Sequence, residues 1–288
     1  FCFKALYDAS LRAWKGRKHQ RGFEALHFMY NRDQEVLNLQ AQLLSETWEP
    51  SPLRAFVIRD PKLRLICAAP FKDRVVHHAL CYGIQPRIDR YLAPQSHACR
   101  TGYGSHSALK SAQNLAKNSN YILRLDIAHY FETISHSLLN EQFARLFKGQ
   151  ALLRLFALII AQKTPFGPLD RGLPIGSLTS QFAANLFLAQ LDHYLLRSYP
   201  IRYVRYMDDL VIGVSCKKQA WQVHDAVQEH LTTLQLKLKK SATCLSAQSA
   251  GFNFLGFRIW PYRMRLDSAR RRRFIRKVIK LKQLTQSD

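Results

Sequence analysis

The stretch that decides the fold is Tyr206-Met207-Asp208-Asp209. Residues 201–205 before it alternate polar and bulky side chains, and residues 210–214 after it are β-branched or apolar. This pattern predicts a strand, a tight turn and a second strand. Two carboxylates about 4 Å apart repel by about 4 kcal/mol at an effective dielectric constant of about 20. A bound cation reverses that sign, and Mg²⁺ prefers hard oxygen ligands. Aspartate also favours turns for ordinary reasons, so other motifs must decide between the two explanations.

A third aspartate ends another predicted strand. The apolar run of residues 121–125 leads into Asp126. Three carboxylates converging beside one sheet would hold two Mg²⁺ ions about 4 Å apart, the arrangement for in-line phosphoryl transfer. Taken alone, Asp126 is better explained as a polar cap at the end of a strand.

Composition points to a polyanionic partner. The chain has 288 residues, a formal net charge of +23 and 47% hydrophobic residues, enough for a substantial core. No stretch has the 18 or so consecutive apolar residues of a membrane span, so no membrane association is expected. The chain begins without Met and no signal peptide is expected. The six scattered cysteines are typical of reduced core thiols in a cytoplasmic protein.

Strands and helices alternate along the predicted chain. Helices are expected at 31–47, 71–88, 135–148, 151–162, 178–197, 218–234 and from about 267, with Ser135 or Ser137 as a cap of the third. Strands are expected at 55–58, 63–67, 121–127, 201–205, 210–214, 244–245 and 252–259. This order favours an α+β domain around a mainly antiparallel sheet.

Several motifs together resemble those of bacterial reverse transcriptases, and in the same order. They span about residues 50–260: the fingers segments 62–66 and 71–76, the first catalytic motif 125–136, the second catalytic motif 206–209, and a primer-grip hairpin at 251–257. Short motifs are weak singly, but their joint order is far more specific. The resemblance implies a right-hand polymerase fold with fingers, a palm of antiparallel sheet plus helices, and a short helical thumb.

The predicted domains are a basic N-terminal helical extension (1–50), fingers and palm (51–260) and the start of a basic helical thumb (261–288). In the last region an apolar stripe accompanies basic residues that we expect to bind nucleic acid. These are Arg270, Arg271, Arg272, Arg273 and Lys277. The ordinary alternative is a solvated charged face.

The segment Ile175–Gln181 narrows the resemblance. Group II intron and retron enzymes usually have Gln-Gly before the long palm helix and Ser-Pro four residues on. This chain instead has Ile175-Gly176 and then Ser180-Gln181, which resembles reverse transcriptases of diversity-generating retroelements. Residues 96–102 and Ile259-Trp260-Pro261 fit the same group.

That subclass implies an RNA-directed DNA polymerase, a nucleotidyltransferase that copies a template-repeat RNA into cDNA with frequent errors opposite adenine. The cDNA then replaces a variable region of a target gene, a process called mutagenic retrohoming. The implied partners are template RNA, primer or cDNA, deoxynucleoside triphosphates (dNTPs) and a small basic accessory variability protein.

The resemblance also assigns roles by position. Asp126, Asp208 and Asp209 would be catalytic and would bind two Mg²⁺ ions, with the Ile127 carbonyl as a further ligand. The expected nucleotide-binding residues are Lys62 and Arg64 at the triphosphate, Phe131 as a gate against the ribose 2′-hydroxyl, and Ile175, Gly176 and Gln181 near the nascent pair. Relatives often carry Lys-Thr after the 218–234 helix; here Lys239 and Lys240 are both candidates to assist departure of pyrophosphate.

Two alternatives stay open from the sequence. One is another class of reverse transcriptase: retron, group II-like or abortive-infection. The other is a non-catalytic RNA-binding protein with a polymerase fold, although such a protein has no need to keep three converging acids.

Overall fold

The computed structural model describes residues 1–15, 22–59, 63–162, 164 and 167–284. Lys62 and four basic residues of the N-terminal extension, Arg17, Lys18, His19 and Arg21, lie outside these ranges. The chain divides into two compact units. The first comprises residues 1–93, 129–190 and 233–236, and the second comprises residues 94–128, 191–232 and 237–288. The predicted three-part domain division remains a prediction.

The helices and strands have the following bounds, in chain order. They are α1 Phe3–Lys15, α2 Phe23–Tyr30, α3 Arg32–Leu44, β1 Arg54–Arg59, β2 Leu63–Ala68, α4 Phe71–Tyr91, α5 Ser105–Lys117, β3 Tyr121–Asp126, α6 Tyr130–Thr133, α7 His136–Leu146, α8 Gln150–Ile160, α9 Leu178–Phe187, α10 Ala189–Ser198, β4 Arg202–Tyr206, β5 Asp209–Val214, α11 Lys217–Thr233, β6 Cys244–Ala247, β7 Phe252–Phe254, β8 Phe257–Ile259, β9 Met264–Leu266 and α12 Ser268–Leu284.

The first unit is built around α4, which packs against α1 and α9. Its buried side chains include Val75, Val76, Leu80 and Ile84, whose helical spacing places them where neighbouring helices cover them. The hairpin β1–β2 is antiparallel, as predicted, and β1 is exposed along its whole length.

The second unit contains the main sheet, with strand order β4-β5-β3-β6 and antiparallel pairing throughout. Helix α5 covers one face of the sheet, where Leu109 and Leu115 pack with Ile122 and Val211. The small sheet β7-β8-β9 adds buried side chains such as Phe252 to the same core. This helix and sheet arrangement confirms the predicted α+β class.

The helix predicted over 178–197 is two helices, α9 and α10, with a break at Leu188. The break contains neither Pro nor Gly. Side chains from elsewhere in the first unit donate to α9 carbonyls: Gln142 Nε2 to the Phe187 carbonyl at 3.4 Å, and the Tyr130 hydroxyl to the Ala184 carbonyl at 2.5 Å. Side-chain donors of this kind interrupt a helical hydrogen-bond ladder.

Other local expectations need correction. Helix α5 and strand β9 were not predicted. Ser135 does occupy the N-cap of α7, but its side chain makes no capping bond and lies 2.9 Å from the Ser137 hydroxyl instead. All six cysteines are free thiols, yet three of them are exposed rather than in the core: Cys2, Cys216 and Cys244. Within the described ranges, no helix is long and apolar enough to cross a bilayer.

Candidate active site

The three aspartates predicted to be catalytic all belong to the second unit. Asp126 at the end of β3 is the direct cross-strand partner of Asp209 at the start of β5. Directly opposed residues in antiparallel strands have Cα atoms about 4.5–5.5 Å apart and side chains on one face of the sheet. Asp208 is in the two-residue turn between β4 and β5. The pairing of β3 with β5 therefore brings the first and second predicted catalytic motifs together.

Crowding of negative charge is evident at Asp209. Burial, and after it the neighbouring carboxylates of Asp208 and Asp126, raise the pKa of its carboxyl to about 6. The positive charges of Arg124 and Lys239 oppose this rise only in part. A carboxyl in this environment gains from a bound cation, because the cation removes the repulsion that favours protonation.

Lys239, one of the two lysines singled out from the sequence, lies beside the acids. Its Nζ is 3.8 Å from Asp126 Oδ2, and its backbone N–H donates to the Asp126 carbonyl at 2.8 Å. Lys240 is exposed. The hydrogen bond from Lys239 N–H to the Asp126 carbonyl is part of a short antiparallel bridge, in which Ile127 pairs with Leu238. Its two hydrogen bonds use the carbonyls of Asp126 and Lys237, so neither occupies the Ile127 carbonyl, whose role as a metal ligand stays a prediction.

The side chains at this site suit Mg²⁺ in their chemistry, since three hard carboxylates come from adjacent backbone positions. Within the described part of the chain, however, no three His, Cys, Asp or Glu side chains converge closely enough to hold an ion. The donor set therefore fits the ion, while convergence of the three side chains remains a prediction.

The predicted nucleotide-binding residues belong to the first unit. Arg64 and Ile175 line one cleft of about 430 Å³. Gly176 and Gln181 line a second cleft of about 230 Å³, together with Arg74 and two histidines, His77 and His78. Lys62 lies outside the described residues. The structure thus groups these residues in pairs, and their contacts with a nucleotide remain predictions.

Phe131 lies on the short helix α6 and is partly buried. Its carbonyl accepts a hydrogen bond from Leu173 N–H at 2.7 Å. The next residue, Glu132, lines the cleft that also contains Arg64 and Ile175. The backbone of Phe131 is therefore fixed next to a residue of that cleft, and the role of its ring as a sugar gate is still a prediction.

The segment Ile175–Ser177 is fixed at each residue. The Ile175 carbonyl accepts from Cys67 N–H at 2.8 Å, and Ser177 Oγ is 3.0 Å from His77 Nδ1. Gly176 has φ of 113°, and a Cβ there would lie 2.8 Å from Cγ2 of Ile66. Only glycine fits this conformation and this close approach without strain.

The basic C-terminal residues lie on α12, where Arg270, Arg271, Arg272 and Lys277 are exposed and Arg273 is partly buried. Arg271 and Arg272 line a cleft of about 540 Å³ that also contains Arg258, Trp260 and Arg265. The Arg270 guanidinium lies against Gly256, so this side chain also packs on the protein. A positive cleft beside a partly buried indole suits nucleic acid, and binding itself remains a prediction.

Sequence reasoning gave no role to a buried Arg–Asp pair in the second unit. Arg205 and Asp192 are both fully buried and joined by an ion pair. The available signal was a charged residue at an inward position of β4, between Val204 and Tyr206. Its partner is 13 residues away on another element, so no local pattern could identify the pair.

Comparisons with known proteins agree with this geometry. The reverse transcriptase (RNA-dependent DNA polymerase) family profile matches residues 59–259. YkfC of Escherichia coli is 24% identical over 82% of this chain and 74% of its own length. The group II intron-encoded protein LtrA of Lactococcus lactis subsp. cremoris is 21% identical over 57% of this chain and 29% of its own length.

Among solved structures, telomerase from Candida albicans aligns with a TM-score of 0.59 over 84% of this chain and 51% of that chain, at 12% identity. Telomerase from Candida tropicalis, truncated from its C-terminal domain, aligns with a TM-score of 0.58 at 13% identity, over 82% of this chain and 60% of that chain. This likeness shows a shared polymerase fold. The chain spans less than two thirds of these telomerases and of LtrA.

The fold and the paired acids define a nucleic-acid polymerase of the reverse transcriptase type. Since the family profile covers more than half of the chain, the chain belongs to the reverse transcriptase family, which comprises RNA-dependent DNA polymerases.

Proposed function

We propose that this chain polymerises DNA on an RNA template and acts as the reverse transcriptase of a diversity-generating retroelement. The observation that supports polymerisation most strongly is the cross-strand pairing of Asp126 with Asp209, next to Asp208. A protein that only binds RNA gains nothing from this repulsive arrangement, whereas a two-metal polymerase requires it.

The proposed chemistry uses residues of the second unit as follows. Asp126, Asp208 and Asp209 would hold two Mg²⁺ ions, which supply activation of the primer hydroxyl and charge stabilisation of the triphosphate. Lys239 Nζ, 3.8 Å from Asp126, is better placed than Lys240 to neutralise or protonate the departing pyrophosphate. Lys239 therefore takes that role in the proposal.

Residues of the first unit would select the nucleotide. Arg64 would contact the triphosphate, because a guanidinium matches phosphate oxygens in geometry and charge. Phe131 would exclude the ribose 2′-hydroxyl, and Ile175, Gly176 and Gln181 would lie near the nascent pair. Template and primer would contact the basic residues of α12.

The retroelement assignment rests on the resemblance of the segment Ile175–Gln181 to that subclass. Ile175 replaces a glutamine with a side chain that has neither donor nor acceptor, which fits a polymerase of low fidelity. The proposal includes a template-repeat RNA, errors opposite adenine, and a small basic accessory variability protein as partner.

Sequencing of cDNA made on a defined RNA template tests the subclass. An excess of errors opposite template adenine, together with a template and variable repeat pair in the DNA flanking the gene, supports it. Uniform errors and no such repeats contradict the subclass and leave polymerisation untouched.

A group II-like reverse transcriptase is the second candidate. It is favoured by the similarity to LtrA and to the putative COX1/OXI3 intron 1 protein of Saccharomyces cerevisiae, 22% identical over 72% of this chain and 32% of its own length. Intron RNA sequences flanking the gene, with accurate copying of adenine, would favour this candidate over the retroelement.

A further inference from the structure

Arg205 and Asp192 form an ion pair that water does not reach, since both side chains have 0% exposure. The guanidinium meets the carboxylate as a fork: Nε donates to Oδ1 at 2.7 Å and Nη2 to Oδ2 at 2.6 Å. The Tyr203 hydroxyl donates to the same Oδ1 at 2.7 Å. Replacing a buried ion pair by apolar residues of similar volume is often neutral or stabilising. Stability alone is therefore a weak explanation for this pair.

The guanidinium also reaches the turn that carries the acids. Arg205 Nη1 donates to the Met207 carbonyl at 3.1 Å. Met207 has φ of 54°, a region that a bulky side chain rarely occupies. The accepting carbonyl belongs to the peptide group that joins Met207 to Asp208. Because a peptide group is planar, this hydrogen bond fixes the orientation of the backbone that enters Asp208.

The backbone of Arg205 is itself anchored on its outer side. Its N–H donates to the Gln95 carbonyl at 2.9 Å, and its carbonyl accepts from His97 N–H at 3.0 Å, in a parallel bridge between Ser96 and Arg205. Strand β5 pairs with β4 on the other side. Backbone and guanidinium are thus both fixed, so Nη1 is a rigid donor toward the turn.

We propose that Arg205, oriented by Asp192, is a positioning residue that holds the Met207–Asp208 peptide so that the Asp208 and Asp209 carboxylates are ready to bind divalent metal. The inference rests on the proposed metal-dependent function. Loss of groups that orient metal ligands typically lowers metal affinity on the order of 10- to 100-fold.

The test compares four full-length variants with the wild type. Arg205→Met combined with Asp192→Asn removes both charges and closely keeps the volume. Arg205→Lys keeps one charge but loses the planar fork. Tyr203→Phe removes a bond to Asp192 and leaves the Arg205–Met207 bond, and Arg202→Met changes an exposed arginine on the same strand. The last two variants are the matched controls.

Three measurements apply to each variant: thermal stability, hydrogen exchange of the backbone amides of residues 203–210 without metal, and Mn²⁺ binding followed by electron paramagnetic resonance. We expect the double variant to remain folded, to exchange faster at the turn and to bind Mn²⁺ about 10- to 100-fold more weakly. Arg205→Lys should fall between it and the wild type, and both controls should match the wild type.

A folded double variant with wild-type turn exchange and Mn²⁺ affinity would overturn the inference. Should the double variant fail to fold, Arg205→Lys carries the same comparison, and wild-type exchange and affinity in that variant overturn the inference equally. A wild type that binds Mn²⁺ but extends no primer contradicts the proposed function. The exchange and Mn²⁺-binding measurements would still test whether Arg205 positions the turn.

Discussion

Phe131 carries the clearest prediction about a single residue. Phe131→Ala should raise ribonucleotide incorporation by about tenfold or more, because it removes the ring that would clash with a 2′-hydroxyl. Phe131→Tyr keeps the ring and serves as the control. Primer extension with matched ribo- and deoxynucleotides measures the ratio. Equal ratios in wild type and Phe131→Ala would show that the ring is only a packing residue.

Ile175 makes a prediction about fidelity. Its carbonyl bond to Cys67 N–H uses the backbone, so Ile175→Gln changes only a half-buried side chain beside the cleft. An added hydrogen bond of about 0.5–1.5 kcal/mol corresponds to roughly a two- to tenfold change in discrimination between correct and incorrect nucleotides. We expect errors opposite adenine to fall by that factor, with Ile175→Leu as the control. Identical error rates in cDNA sequencing would remove Ile175 from the mechanism.

For single residues, the sequence predicts functional side chains that belong to short local motifs. Asp126, Asp208 and Asp209 were identifiable because each ends a strand or forms a turn, and the structure does pair Asp126 with Asp209. The Arg205–Asp192 pair was not identifiable, because its partners lie on different elements and only tertiary packing joins them.

Helix α4 contributes a prediction about stability and pH. His77 on α4 is 1% exposed, and burial, together with the nearby His78 and Arg74, lowers its pKa to about 4. The folded state therefore favours neutral His77. The contribution of His77 to the free energy of unfolding is fully present above its unfolded-state pKa of about 6.5, and it is lost as the pH falls toward 4. The expected loss is about 3 kcal/mol.

Urea unfolding at several pH values measures this loss. His77→Gln should flatten the fall between pH 6.5 and 4, relative to the wild type. Burial, with the nearby Arg74 and Arg12, also lowers the pKa of His78 to about 4, so His78→Gln should flatten part of the same fall. An equal fall in wild type and His77→Gln would mean that His77 is not the titrating group.

The elements also show where periodicity is informative. Strands β3, β4 and β5 follow from their apolar patterns, and α4 from its helical spacing. Helix α5 was not predicted because its buried face is largely alanine, which gives a weak hydrophobic pattern, and because it follows a Gly- and Ser-rich loop. The break between α9 and α10 coincides with hydrogen bonds from Tyr130 and Gln142, whose acceptors lie 54 and 45 positions later, and no local pattern can reveal such contacts.

The net charge of the whole chain predicts salt-dependent binding of RNA. Each phosphate contact adds about 0.7–0.9 to the slope of log affinity against log salt. Changing Arg270, Arg271, Arg272 and Arg273 together to Gln should flatten that slope, while changing all four to Lys keeps the charge and should preserve it. Fluorescence anisotropy over a range of salt concentrations measures the slope. An unchanged slope in the Gln variant would show that α12 is merely solvated.

The central claim, that these three aspartates make the chain an RNA-directed DNA polymerase, is tested most directly by extension of a primer on an RNA template with dNTPs and Mg²⁺. Asp208→Asn removes one charge at the turn, and Asp225→Asn removes one from the exposed surface of α11 as a control. The account predicts extension by wild type and Asp225→Asn, with Asp208→Asn folded, still bound to template and primer, and slower by orders of magnitude. Extension by folded Asp208→Asn at the wild-type rate would contradict it.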